Sequence, residues 1–211
     1  MKKLTILALI TSIATATFAQ FEGVLTYDCT IKNKTLTTLY EAKSRVLVEA
    51  KIYPMKAGIA NIKDAKEQDP ILFDFEKKKA TRVGARHHEV VTSDLVPVTN
   101  DHNDRAKEED IAVTLVGPEK IDAWSCQHFT IKIRNTDVDL WITKDLGASS
   151  VIILSQFDYY PAGSILYDKL KAAGGDGIVV RSKQGDVIVN LTSAQVKTVP
   201  PSYFEIPGLK P

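Results

Sequence analysis

Residues 123–147, AWSCQHFTIKIRNTDVDLWITKDLG, constrain the fold more than any other stretch. Phe129, Ile131 and Ile133 alternate with Thr130, Lys132 and Arg134, and after Asn135, Thr136 and Asp137 the alternation resumes at Val138, Leu140 and Ile142. Successive side chains on a strand point to opposite faces, so a hairpin here gathers all six apolar residues on one side. A turn over residues 134–137 predicts Ile133 opposite Val138, Ile131 opposite Leu140 and Phe129 opposite Ile142. A one-residue slip turns one strand's apolar set to water, which holds the register. On the other face the same pairing sets Lys132 against Asp139 and Thr130 against Trp141. One dry face and one mixed face is the antiparallel pattern, and Trp141 on the mixed face calls for a cover other than bulk water.

The rest of the chain repeats this grammar. Phe21, Gly23, Leu25, Tyr27, Cys29 and Ile31 give a long first strand with one apolar face. Residues 36–40 and 45–52 read as strands, residues 54–58 as a break, and residues 59–67 as either a short helix or a loop. Residues 71–75 form a clear strand, turned by a lysine-rich tip onto residues 80–83. Residues 84–110 are polar around a short apolar island at Val90-Val91 and residues 95–98, and residues 100–110 read as an exposed charged loop. Residues 111–116 predict a strand ended by Gly117-Pro118. The apolar run at residues 151–154 suits a strand buried on both faces or part of a helix. Ser164 is placed to cap a helix over residues 165–173, closed by Gly174-Gly175, with Ile165, Leu166, Leu170 and Ala173 as its apolar stripe. Residues 177–182 and 186–192 predict a second hairpin, with Val180 facing Val189 and Lys183 facing Asp186. The proline-rich tail packs Tyr203, Phe204 and Ile206 onto the domain.

The ends and the charge bound the setting. Met1-Lys2-Lys3, a short apolar stretch and Ala19 have the layout of a secretory signal peptide over residues 1–19. Residues 20–211 then form a single β-rich domain, periplasmic or secreted, with no lipoprotein cysteine after the cut and no later membrane span. With 27 basic and 26 acidic residues the charge is balanced, which gives no reason to expect nucleic acid as a partner. Cys29 and Cys126 can form a disulfide in an oxidising compartment or remain two separate buried thiols.

Motifs for chemistry are weak. His87-His88-Glu89 places adjacent histidines on opposite faces of any strand, and no finger-like partners follow. His102 falls in the charged loop and His128 on the mixed face beside Trp141. No Gly-x-Ser-x-Gly elbow occurs, and the glycine-rich residues 173–177 lack the lysine and hydroxyl of a phosphate loop. The reading is therefore non-enzymatic, with no metal and no cofactor.

Several features in order carry a resemblance. They are Phe21-Glu22-Gly23, the Ile71-Leu72-Phe73-Asp74-Phe75 strand with its lysine turn, the Cys126 strand, Leu140 to Gly147, and Phe204-Glu205-Ile206-Pro207-Gly208. Together they resemble an uncharacterised family of exported bacterial domains related in fold to periplasmic lipoprotein carriers and localisation factors (LolA/LppX-like). That family's tail often ends in Gly-Tyr, where this chain has Gly208-Leu209. The resemblance implies a mainly β fold with minor α, a curved open antiparallel sheet forming a half-barrel, and one or a few short helices on its concave side. It also implies an exported binding protein that holds a lipid or lipoprotein against an apolar concave face. Phe129, Ile131, Ile133, Leu140 and Ile142 are the candidate lining, and ordinary core beneath the helix is the competing account of the same five. The alternative function is a structural or interaction subunit of the cell envelope, using edge strands or the loop at residues 100–110 to meet an envelope protein partner.

Overall fold

The computed structural model describes residues 20–31, 45–53, 55–63, 66–83, 90–94, 108–154 and 158–205. The predicted strand at residues 36–40, the histidine pair at 87 and 88, His102, Ile206 and the leader all lie outside these residues. The first six strands are β1 (Gly23–Ile31), β2 (Arg45–Tyr53), β3 (Lys56–Lys63), β4 (Lys66–Asp74), β5 (Lys79–Val83) and β6 (Val90–Asp94). Each pairs antiparallel with its predecessor, so the sheet grows in one direction from β1. The chain then crosses to the opposite edge. There β7 (Ile111–Ile121), β8 (Trp124–Ile133) and β9 (Thr136–Thr143) run back towards the centre. After an excursion, β12 (Ile178–Gln184) and β13 (Val187–Val196) close the gap by pairing β9 with β1. The result is one curved 11-stranded antiparallel sheet, order β6-β5-β4-β3-β2-β1-β13-β12-β9-β8-β7, that does not close into a barrel.

The excursion supplies the cover. It holds a small hairpin of β10 (Val151–Ile153) and β11 (Tyr159–Pro161), then the helix α1 (Ile165–Ala172). The apolar run at 151–154 is thus a buried strand, the first of its two readings. Ser164 caps α1 as its sequence position predicts, accepting from Tyr167 N. Gly174 ends it with φ +86°, a left-handed conformation that glycine adopts without steric cost. Leu166 and Leu170 join Phe129, Leu140, Ile152 and Ile153 in one buried cluster. Tyr167 reaches from the helix to donate to Ser149 O at 2.7 Å, and Lys169 Nζ donates to Ile111 O at 2.7 Å. The helix is therefore pinned to the start of β7.

Three sequence expectations need correction. Residues 56–63 are a strand, not a break followed by a helix or loop. Tyr53 pairs with Lys56, and Met55 takes φ +62° to turn the chain in two residues. The strand from Ile111 does not stop at Gly117-Pro118. It continues to Ile121 through a bulge between Leu115 and Gly117. Both hairpin registers lie two residues from the predicted ones. Phe129 faces Leu140, Ile131 faces Val138, and Ile133 faces Thr136, because the loop is only Arg134-Asn135 and Arg134 adopts φ +54°. Likewise Gln184 faces Val187 and Ser182 faces Val189 around Gly185 at φ +55°.

The tail packs on the convex face through a short helical turn, Pro201–Phe204. Tyr203 lies over Gly58, where a Cβ would come within 2.5 Å of the ring. Lys51 Nζ sits 4.1 Å from the centre of the same ring, and Phe204 lies against Tyr53.

Candidate functional site

Four of the five predicted lining residues, Phe129, Ile131, Leu140 and Ile142, are buried, and Ile133 is half-buried. They stand side by side on the concave face, as their alternation predicts, but α1 and the β10–β11 hairpin pack onto the same cluster. Ile142 marks where this cover ends. Gly175, just past the helix, lies against its Cδ1.

Beyond that point a pocket of about 420 Å³ opens. Ile142 reaches it, and Pro118, Lys120, Ser125, Gln127, Lys144 and Gly174 are among its walls. Gln127 pairs with Ile142 and Pro118 with Gln127, so these three share the concave face. The pocket is thus the uncovered end of the apolar ladder, closed on one side by the edge strand β7. Its rim is charged. Lys144 Nζ lies 2.7 Å from Asp176 Oδ1, and Asp145 Oδ2 accepts from Ser125 N. Burial works to raise the Asp176 pKa, but the bond to Lys144 and its positive charge outweigh this and hold it below the usual carboxylate value. Of the candidate lining, only Ile142 belongs to this pocket. Reading β7 as ending at Gly117-Pro118 hid Pro118 and Lys120. Nothing in the alternation of residues 124–128 singled out Ser125 or Gln127.

The convex face carries a polar cluster directly behind the pocket. His128 and Trp141 face each other across β8 and β9, and their rings stack at 4.4 Å with 12° between planes. Trp141 Nε1 donates to Glu119 Oε2 at 2.7 Å. His128 Nε2 lies 3.1 Å from Asp139 Oδ1, which also accepts from Thr130 Oγ1, and His128 Nδ1 lies 3.6 Å from Glu119 Oε2. This is the cover that Trp141 required. The imidazole faces two carboxylates rather than a hydroxyl or thiol, so the arrangement is a brace across three strands and not a nucleophile with its base.

Cys29 and Cys126 are not joined to each other in this structure. Cys29 belongs to the main core, whereas Cys126 lies with Ile121, Trp141 and Val180 in a small cluster on the other side of the sheet. Burial pushes the Cys126 thiol up to about 11, so it stays protonated and unreactive near neutral pH. The predicted interaction loop falls mostly outside the described residues. Its last part is a short helical turn, Glu108–Asp110, where Asp110 O accepts from Arg134 N.

No curated protein matches the chain. Among solved structures it is similar to PNGF-II, with 14% identity over 86% of this chain and a TM-score of 0.50. The chain spans 29% of the PNGF-II chain. It is also similar to the Mycobacterium tuberculosis lipoprotein LppX, with 10% identity, 85% of this chain and 89% of that chain covered, and a TM-score of 0.35. MucB in complex with MucA(peri) matches with 7% identity, 88% and 55% coverage and a TM-score of 0.40. The family profile described as a domain of unknown function (DUF4412) matches residues 21–208, nearly all of the chain, and the protein belongs to that family.

Proposed function

We propose that this is an exported, non-enzymatic binding protein that holds the apolar part of a lipid or a lipid-modified partner in the pocket at the open end of the concave face. The observation that carries this reading is the ending of the cover at Ile142. There the last residue of the apolar ladder stands in the wall of a pocket of about 420 Å³, among lysines and carboxylates. Such a site suits an amphiphile. Each buried methylene contributes about 0.8 kcal/mol, and the head stays at a charged, wet rim. The volume falls within the usual range of small-molecule sites, about 300–1,000 Å³. Export rests on the leader-like residues 1–19.

The test is native mass spectrometry of the protein purified from its own envelope fraction without detergent. The expected spectrum carries an adduct of lipid mass that organic extraction removes. Gln127→Trp, which fills the pocket from an exposed position, should remove most of it. A clean apo mass, both as purified and after incubation with phospholipid vesicles, would overturn the reading.

A further inference from the structure

We propose that the outer edge of β7 takes an extended polypeptide as an added strand, with one apolar side chain of that peptide entering the pocket. The inference rests on the pocket reading and narrows its occupant from a free lipid to a protein segment. Among the described residues β7 is the last strand of the sheet and, at 11 residues, a long one. A terminal strand presents a row of unpaired backbone donors and acceptors, the template on which extended peptides dock. Leu115 and Val116, 51% and 58% exposed, are adjacent on this strand.

Two features decide which kind of strand fits. The bulge between Leu115 and Gly117 kinks the edge, and Pro118 brings no N–H. A second copy pairing through its own β7 would bring both defects again and double the loss. A separate extended peptide meets each once. The faces then set the peptide's chemistry. Pro118 and Lys120 pair with Gln127 and Ser125 on the concave, pocket side, whereas Glu119 pairs with Cys126 and turns to the convex side. There its carboxylate lies near His128, itself bonded to Asp139. A peptide residue level with Pro118 or Lys120 points its side chain into the pocket, and its neighbour, level with Glu119, points to the face that carries the Glu119 carboxylate. The partner segment therefore carries a large apolar residue next to a lysine or arginine.

The experiment is selection of a phage-displayed octapeptide library on the purified protein, followed by affinity measurement with synthetic versions of an enriched peptide. Enriched peptides should share an apolar residue beside a basic one. N-methylation of alternate amides should weaken binding about tenfold or more for one set, whose N–H groups face β7, and leave the other set unchanged. On the protein side, Val116→Lys and Gln127→Trp should each weaken the same peptide. The N-methylated peptides probe the wild-type protein, so the test stands even where a variant fails to fold. Enriched peptides indifferent to both methylation sets overturn strand addition. No enrichment together with a lipid adduct in the mass spectrum overturns this inference and leaves the lipid reading standing. Neither peptide nor lipid overturns both.

Discussion

At the residue scale, Leu140 separates a lining role from a core role. It is fully buried on the concave face, in the cluster that holds Leu166 and Leu170 of α1. Truncating a side chain so enclosed costs its transfer free energy and leaves a cavity, about 2–5 kcal/mol in all. Gln127, exposed at the pocket wall, has no such contacts, and its replacement by alanine should stay within about 0.5 kcal/mol. Urea unfolding of Leu140→Ala and Gln127→Ala tests the distinction. Equal, small losses for both would mean that the concave face at Leu140 is not sealed. Asp176 shows how little a single charge settles here. Its partner Lys144 is 37% exposed, so their pair contributes at the level of a surface ion pair, about 0–1 kcal/mol. Because the Asp176 pKa is lowered, that contribution is present above the unfolded carboxylate value and is lost as pH falls through the folded one.

At the element scale, the short helix decides what the concave face can hold. α1 has eight residues, too few to be stable without its contacts, and it depends on its cap. Removing the Ser164 hydroxyl that accepts from Tyr167 N should cost about 1 kcal/mol. Chemical denaturation of Ser164→Ala measures it, and an unchanged midpoint would mean that packing alone holds the helix. The hairpins show which part of an element is readable. A two-residue loop opens on Arg134 at φ +54° in one and on Gly185 at φ +55° in the other. The sequence reading gave the first loop four residues and placed the second, of the right length, one residue early, and each register moved by two. In the central hairpin a shift of two preserves the faces, so its apolar ladder survived an error in its pairing; in the second, an irregularity between Val179 and Arg181 sends Val180 to the face opposite Val189. β7 failed differently. Gly117-Pro118 ends most strands, but on a sheet edge a bulge absorbs the glycine, and a proline nitrogen costs no ladder bond where it faces outward.

At the scale of the whole molecule, Tyr27, Tyr159, Tyr160 and Tyr167 are buried in the main core. Burial raises all four, Tyr160 and Tyr167 to about 12 and the other two further. Their folded values lie above the unfolded value of about 10, so the stability they supply is fully present below that pH and is lost as pH rises towards the folded values. In an alkaline titration followed by tyrosinate absorbance and circular dichroism, these four should ionise together with unfolding. Gradual ionisation with the fold intact would mean that the core admits water. What the sequence by itself determined is the set of faces: period-two alternation assigns each residue to one side of a sheet whatever its partner, and Ser164 and Gly174 mark a helix by local backbone chemistry alone. Strand order, the crossing from β6 to β7, the excursion that seals most of the concave face and the stop at Ile142 belong to the tertiary structure. They depend on contacts between segments far apart in the chain, such as α1 with the start of β7 and β1 with β13. No local pattern encodes which distant surface will lie against a given face, so the ladder was legible while the pocket at its open end was not.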